Sequence, residues 1–262
     1  MLRKAIHNKP QGLIQTSQGL LFIKRGSHEQ LQAEAEGLKA LQEVASDLLI
    51  PNVLLIHTDE LGAGLLLSGL KLNAPPDWKA LALGLSQIHR QNHSCFGWTK
   101  NNWIGLGIQK NKWCEHWAYF FAHFRLKPKL KILESNGLLI GYTQKTVALA
   151  EDMLKDHHPT PSLVHGDLWS GNIGFTTQQA TVFDPAVYYG DREVDLAMSQ
   201  LFGGFPPSFY KYYTQIYPLS EGFEQRFSLY NLYHLLNHAC IFGGNYILAS
   251  QNCIEHLLNA HK

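Results

Sequence analysis

The chain has few of the features that tie a protein to a membrane, a nucleic acid or a polyanionic partner. Its 22 basic and 21 acidic side chains nearly cancel, so no polyelectrolyte partner is indicated. No stretch approaches the roughly 18 uninterrupted apolar residues of a membrane span, and the start MLRKAIHNKP lacks an apolar signal core. We therefore expect a cytoplasmic protein with neither a nucleic-acid nor a membrane partner.

Cysteine is scarce as well. The four cysteines are widely spaced, and none forms a C-x-x-C pair: Cys95, Cys114, Cys240 and Cys253. This usage argues against a structural zinc site and against a small scaffold held by disulfides. At 262 residues with 45% hydrophobic side chains, the chain is long enough to bury a large core without such cross-links.

The segment LVHGDLWSGNIGF, from Leu163 to Phe175, carries the strongest chemical signal. It sets His165, Asp167 and Asn172 at the spacing of a kinase catalytic loop. In that chemistry the aspartate accepts the proton of the substrate hydroxyl, and the asparagine five residues later holds magnesium. Shortly downstream an apolar run ends in Asp184, a second candidate metal ligand. The plain alternative is a polar turn between two strands.

Two upstream residues fit the same chemistry. The run GLLFIK predicts a buried strand with Lys24 at its end, where a kinase places the lysine that pairs with the ATP phosphates. A helix follows, opening with the capping-box pattern of Ser27 and Gln30. Glu34 lies three residues after the apolar Leu31, so we expect it to point inward and pair with Lys24.

The periodicity predicts an α+β fold with a small β-rich lobe and a larger helical one. Strands are expected near 12–16, 20–25, 53–57 and 64–68, with a helix near 28–46. Helical patterns follow near 77–93, 114–135, 138–157 and 222–250. We therefore expect a nucleotide-binding N-terminal lobe at 1–70 and a C-terminal lobe at 71–262 with the catalytic loop, the metal site and the substrate site, joined by a hinge near 68–73.

Several segments resemble the fructosamine (ketosamine) kinases, a family of the protein-kinase-like superfamily related to aminoglycoside phosphotransferases and choline kinases. The segments are HGDLWSGN at 165–172, FDPAVYYGDREVDLAMSQLFGGFPPSFY at 183–210, LYNLYHLLNH at 229–238, FGGNY at 242–246 and the aromatic-rich stretch at 96–130. The resemblance runs from about Gly19 to the C-terminus. It implies a two-lobe kinase fold that uses ATP and Mg²⁺.

The resemblance also implies roles for particular residues. Adenine would be read by backbone groups of the hinge, at Ser68, Gly69 and Leu70. The acceptor would be the sugar 3-hydroxyl of a ketosamine, free or protein-bound, whose phosphorylated product sheds the sugar, so that the reaction leads to deglycation. Because aromatic rings pack on sugars, Trp169 is a candidate substrate contact, with Asp191 as a second.

For four of the residues a structural role is the alternative or the main expectation. Asp191 fits the start of a helix equally well. Trp169 could instead serve only to pack its own loop. Asp195 is expected to bond the backbone of the catalytic loop, with His165 as a further structural support.

One departure concerns the phosphate-binding hairpin. Kinases cover the ATP phosphates with a glycine-rich loop because only glycine lets backbone N–H groups approach so closely. Here only Gly12 and Gly19 remain, Pro10 removes a donor, and we expect the chain to begin too late for a full first strand. Two other functions therefore stay open. One is transfer of phosphate to an aminoglycoside or amino alcohol, and the other is a non-enzymatic nucleotide-binding pseudokinase.

Overall fold

A computed structural model describes residues 7–17 and 19–261. In chain order the elements are β1 Gly12–Thr16, β2 Gly19–Gly26, α1 His28–Val44, β3 Val53–Asp59, β4 Gly62–Ser68, α2 Trp78–His89, β5 Asn102–Ile104, β6 Gly107–Gln109, α3 Trp117–Phe120, a π-helical turn Phe121–Leu126, α4 Lys127–Ser135, α5 Tyr142–Leu154, β7 Ser162–Val164, a 3₁₀ turn Ser170–Asn172, β8 Ile173–Phe175, β9 Ala180–Val182, β10 Tyr188–Gly190, α6 Glu193–Leu201, α7 Pro207–Ile216, α8 Phe223–Phe242 and α9 Asn245–Ala260.

The chain divides into two units. The first comprises the residues up to Ile88 together with Ser170–Ala186 and Pro206–Tyr217, and the second comprises His89–Trp169, Val187–Phe205 and the residues from Pro218 onward. The predicted lobes divide the chain once, after residue 70, whereas these units are each built from several segments. Both divisions keep β1–β4 together with α1. No helix among the described residues is long and apolar enough to cross a membrane.

The first unit is organised around a four-stranded antiparallel sheet. Its strand order is β1-β2-β4-β3, so β2 and β4 are central. The four strands predicted from alternation are all present. Apolar side chains of the two central strands, Leu21, Ile23 and Leu66, form a buried cluster. In the register of these two strands Lys24 lies opposite Leu65. The lysine therefore comes one residue after Ile23, a member of the buried cluster.

Helix α1 begins with the predicted capping box. The amide of Gln30 donates to Ser27 Oγ at 3.2 Å, and the amide of Ser27 donates to Gln30 Oε1 at 3.1 Å. These bonds satisfy two of the backbone donors that a helix start leaves free. The buried face of α1 carries the apolar residues at helical spacing, among them Leu31, Leu38 and Leu41. That face sets the rotation of the helix.

The second unit is mainly helical and contains the predicted catalytic loop up to Trp169. Its short strands pair as the hairpin β5-β6 and as β7 with β10. Arg125, on the π-helical turn, is fully buried, with its guanidinium carbon 3.9 Å from the ring centre of Tyr188. Its Nη atoms donate to the carbonyl of Lys110 at 2.6 Å and to Asn111 Oδ1 at 2.9 Å. Arg125 therefore links the π-helical turn to β10, the strand that pairs with β7.

One predicted helix is two helices. The pattern near 222–250 is interrupted at Gly243 and Gly244, whose φ angles are 63° and 55°, between α8 and α9. Because L side chains rarely adopt such angles, two consecutive residues of this kind end a helix. The apolar periodicity persists through the break, which is why it reads as continuous in the sequence.

Candidate functional site

In the first unit Lys24 lies between two carboxylates. Its Nζ is 2.7 Å from Glu34 Oε2 and 2.8 Å from Asp184 Oδ1. The pairing of Lys24 with Glu34, predicted from helix periodicity, is therefore present. Glu34 reaches the lysine because it borders the buried face of α1 that packs on the sheet. The three side chains come from a strand, a helix and the loop after β9, which fixes the ammonium from three directions.

The charges of this group depend on one another. Burial alone would lower the pKa of the Lys24 ammonium, but Glu34 and Asp184 together hold it above its ordinary value. Burial raises the pKa of Glu34, and the lysine offsets part of that effect. Glu34 Oε1 is buried without a hydrogen-bond partner among the described residues. Lys24 is therefore a fixed positive charge near two acidic groups.

Asp184 and Asn172, the predicted metal ligands, both lie in the first unit. They lie at the two ends of the hairpin β8-β9, with Asn172 directly before β8 and Asp184 two residues after β9. Ile173 pairs with Val182, and the Phe183 amide donates to the Asn172 carbonyl at 3.0 Å. Asp184 has a φ of 56°, unusual for a residue other than glycine. Such strained backbone is frequent at functional sites. The Asp184 side chain is 42% exposed, so its carboxylate remains open to a ligand.

The predicted hinge residues are held by backbone pairing. Ser68 donates its amide to the Asn52 carbonyl at 2.9 Å, and the Gly69 amide donates to the Leu20 carbonyl at 2.9 Å. A Cβ at position 69 would lie 2.7 Å from Leu20 Cγ and 2.8 Å from its carbonyl carbon. Glycine is therefore required here by the close approach of β2.

An apolar cavity of about 180 Å³ lies beside these hinge residues, within the first unit. Its volume is below the ~300–1,000 Å³ of pockets for drug-sized ligands, which suits a single planar base. Its wall includes Leu13, Phe22, Leu67, Ser68, Leu70, Leu72 and Asp184. Leu13 and Leu72 are 56% and 48% exposed among the described residues, so two of its walls keep part of their apolar surface open to solvent.

The glycine-poor N-terminal segment forms a hairpin. β1 and β2 pair from Gly12 opposite Ile23 to Thr16 opposite Gly19. At the turn Thr16 Oγ1 donates to the Gly19 carbonyl at 2.9 Å. Gln18 and residues 1–6 lie outside the described residues. A hairpin is thus present where kinases place their phosphate-binding loop, with a threonine hydroxyl bracing its turn.

Asp167, the aspartate of the predicted catalytic loop, lies in the second unit, three residues after the end of β7. Asp195, from α6, accepts the amides of His165 at 2.6 Å and Gly166 at 2.8 Å. The Asp167 amide lies 3.3 Å from His165 Nδ1. The backbone on the N-terminal side of Asp167 is therefore fixed by a buried carboxylate, the arrangement that the sequence predicts for Asp195. Asp167 itself is partly exposed.

His89 completes this support, and no sequence motif points to it. Its Nε2 lies 3.1 Å from Asp195 Oδ2, and both side chains are buried. Burial lowers the pKa of His89. Burial would raise the pKa of Asp195, but its hydrogen bonds from His89 and the loop amides hold it below its ordinary value. The charge state is therefore an ionised Asp195 that accepts a hydrogen bond from neutral His89.

Asp191 is 2% exposed and fully engaged. Its Oδ2 accepts Tyr230 Oη at 2.6 Å and lies 2.7 Å from His157 Nε2, while Oδ1 accepts the Glu193 amide at 3.0 Å. The interpretation of Asp191 as the start of helix α6 describes this geometry, whereas substrate contact would require these bonds to open. Trp169 is half-buried at the end of its loop.

These elements form a protein-kinase-like α+β fold. The solved choline kinase of Streptococcus pneumoniae shares this fold, with a TM-score of 0.62 at 15% identity over 95% of this chain and 89% of that one. The family model for fructosamine kinase matches residues 7–260, and the chain belongs to that family.

Two further comparisons agree with this membership. The chain is 37% identical to a probable ketoamine kinase of Vibrio parahaemolyticus over 245 residues, which is 91% of this chain and 85% of that protein. It also resembles the crystal structure of a putative fructosamine-3-kinase from Haemophilus somnus, with a TM-score of 0.84 at 32% identity, covering 91% of this chain and 83% of the other. The predicted family and α+β kinase-like fold are thereby confirmed.

Proposed function

We propose that this protein transfers the γ-phosphoryl group of ATP to the sugar 3-hydroxyl of a ketosamine, either a small molecule or an adduct on a protein. The phosphorylated product loses its sugar, so the reaction is a deglycation step. The observation that carries the proposal is the placement of Lys24 Nζ between Glu34 and Asp184, at 2.7 and 2.8 Å. A kinase needs such a fixed cation where the nucleotide phosphates arrive.

The first unit offers the features of a nucleotide and metal site. The apolar cavity beside Ser68 and Leu70 would take the adenine, and Lys24 would pair with the phosphates. Asn172 and the half-exposed Asp184 supply an amide and a carboxylate oxygen, the donors that magnesium prefers. Bound there, the metal would neutralise charge on the transferring phosphate. The protein's own contribution is to fix these oxygens and the ammonium before the substrate binds.

Asp167 would act on the acceptor. Its carboxylate takes the proton of the sugar hydroxyl while the hydroxyl oxygen forms the new bond to the γ-phosphorus and the bond to ADP breaks. In the sequence Asp167 precedes Asn172 by five residues, the kinase spacing. Asp195 and His89 hold the backbone in front of Asp167, so the base needs little reorganisation in the transition state.

A substrate panel tests the proposal. The purified protein is incubated with ATP and magnesium and, separately, with fructosyl-lysine, ribulosyl-lysine, an aminoglycoside and an amino alcohol. ³¹P and ¹³C NMR of the products then locate the phosphate. We expect phosphate on the sugar 3-hydroxyl of a ketosamine, followed by release of the sugar and free amine. Phosphorylation of the aminoglycoside or amino alcohol alone would replace the proposal, and tight ATP binding without any transfer would indicate a pseudokinase.

A further inference from the structure

A half-exposed aromatic cluster lies in the second unit, outside the groups assigned above. Tyr189 is at its centre, with ring centres 4.8 Å from His93, 5.8 Å from Trp98 and 6.2 Å from Trp113. His93 stacks on Trp113 at 4.3 Å and 19°. We call these four residues the aromatic platform. His93 is exposed and the other three are partly exposed, so the platform presents ring surface to solvent.

The platform is built on fixed backbone. Gly97 and Tyr189 exchange two hydrogen bonds, each 2.8 Å, and Phe96 and Cys114 exchange two at 2.8 and 2.9 Å. A Cβ on Gly97 would lie 2.3 Å from the carbonyl oxygen of Lys112. Glycine therefore lets the segment with Trp98 lie directly against the segment with Trp113. Rings held in this way lose little conformational freedom when a ligand binds.

The tryptophans of the platform differ from Trp117 of the same unit. Trp117 is 2% exposed, and its indole N–H donates to Tyr230 Oη at 3.0 Å. The indole N–H groups of Trp98 and Trp113 meet no acceptor among the described residues. A tryptophan that serves only packing is normally buried with its N–H paired. Partly exposed rings whose N–H groups meet no acceptor among the described residues instead suit a ligand that combines apolar length with carbonyl oxygens.

The position relative to Asp167 indicates which part of the acceptor reaches the platform. Tyr189 pairs with Leu163 in the β7-β10 ladder. Leu163 precedes Asp167 by four residues, at most about 13 Å of extended chain. The reacting sugar and its amine nitrogen lie next to Asp167 in the proposed reaction. A lysine side chain that carries the sugar adds four methylenes beyond that nitrogen, and its peptide carbonyls lie further still.

We infer that the aromatic platform binds the amine carrier of the ketosamine, and that it selects a lysine within a peptide. The ring faces take the methylenes of the lysine stem, and the indole N–H groups of Trp98 and Trp113 donate to the flanking peptide carbonyls. This inference rests on the proposed function. It assigns the platform a part in choosing the amine, separate from the choice of sugar.

Two substrates with the same sugar test the inference. One is the fructosamine of Nα-acetyl-lysine amide, and the other is the fructosamine of methylamine, which has no stem to stack. We expect Trp113→Leu to raise the KM for the lysine substrate about 3-fold to 15-fold, with kcat unchanged and the methylamine KM changed less than about 2-fold. Trp113→Phe should restore most of the loss, because it restores a ring face.

A matched control comes from the same unit. Tyr119 is 48% exposed and stacks on His123 at 4.2 Å and 23°, but it lies outside the platform. Tyr119→Leu should leave both KM values unchanged. If Trp113→Leu changes the two substrates equally, or neither, the inference is wrong while the proposed function stands. If the unchanged enzyme phosphorylates neither fructosamine, the proposed function fails and the inference fails with it.

Discussion

Lys24 Nζ and Glu34 Oε2 lie 2.7 Å apart, with both side chains largely buried. The pair joins the central strand β2 to helix α1, and the same ammonium contacts Asp184 at 2.8 Å. Without Glu34, the ammonium would keep Asp184 as a partner but would lose its link to helix α1. The position of the lysine, and with it any contact to a nucleotide phosphate, therefore depends on Glu34.

Glu34→Gln should impair nucleotide use more than it impairs folding. The neutral amide removes half of the negative charge that holds Lys24, so the ammonium is free to turn toward Asp184. We expect kcat/KM for ATP to fall about 10-fold to 100-fold. Steady-state kinetics with varied ATP measure it. Glu43→Gln, on the exposed surface of the same helix, is the control, and an equal loss in both variants would contradict a special role for Glu34.

Asp195→Asn should weaken the support of the catalytic loop. The amide replaces one acceptor oxygen by a donor, which then faces a loop N–H or the His89 ring. We expect a loss of about 2–4 kcal/mol in the free energy of unfolding and a lower kcat with little change in the KM for ATP. Urea unfolding and kinetics give the two readouts. Because the native pKa of Asp195 is lowered, its contribution to stability is present at neutral pH and is lost only under acid conditions, below the ordinary carboxyl range.

His234 should make the protein sensitive to mild acid. Burial lowers the pKa of this histidine, on α8, to about 3. Between about pH 6.5 and 3 this histidine is protonated in the unfolded chain but stays neutral in the native state. The free energy of unfolding therefore falls as pH falls, by about 1.4 kcal/mol per pH unit. In His234→Gln this component disappears. Urea unfolding at pH 7 and pH 5 should show the gap between the two proteins shrinking by about 2 kcal/mol. Parallel pH curves would contradict the assignment.

Gly69→Ala should disturb the predicted hinge. The added methyl would lie 2.8 Å from backbone atoms of Leu20 and Leu21, which cannot rotate away as a side chain can. We expect a loss of about 1–3 kcal/mol in the free energy of unfolding and weaker nucleotide binding, because Ser68 and Leu70 line the same apolar cavity. Calorimetric titration with ATP measures the second effect. If both the affinity for ATP and the free energy of unfolding are unchanged, β2 moves away from the added methyl without loss of stability, and the prediction is wrong.

Features set by local periodicity could be predicted from the sequence. The four strands, the capping box of α1 and the inward direction of Glu34 each follow from spacing within about ten residues. The support of Asp167 could be predicted only in part. Asp195 was predicted as a backbone anchor, but His89 lies 106 residues from it in the sequence, and nothing local marks a histidine at a helix end as its partner.

Features that depend on tertiary packing were either left undecided by the sequence or could not be predicted from it. Asp191 could be read as a substrate contact or as a helix start, and its burial with Tyr230 and His157 supports the second. The break at Gly243 and Gly244 is hidden because apolar periodicity continues through it. The aromatic platform joins side chains from three separate segments, so no single stretch of sequence identifies it.

The most direct measurement compares the unchanged protein with Asp167→Asn in single-turnover phosphorylation of a fructosamine or ribulosamine, at saturating ATP and magnesium. The account predicts a rate about two to four orders of magnitude lower in the variant, with the dissociation constant for ATP nearly unchanged, while Asp156→Asn, at a surface site, keeps the normal rate. An Asp167→Asn enzyme that transfers phosphate to the ketosamine at close to the normal rate would contradict the assignment of Asp167 as the base.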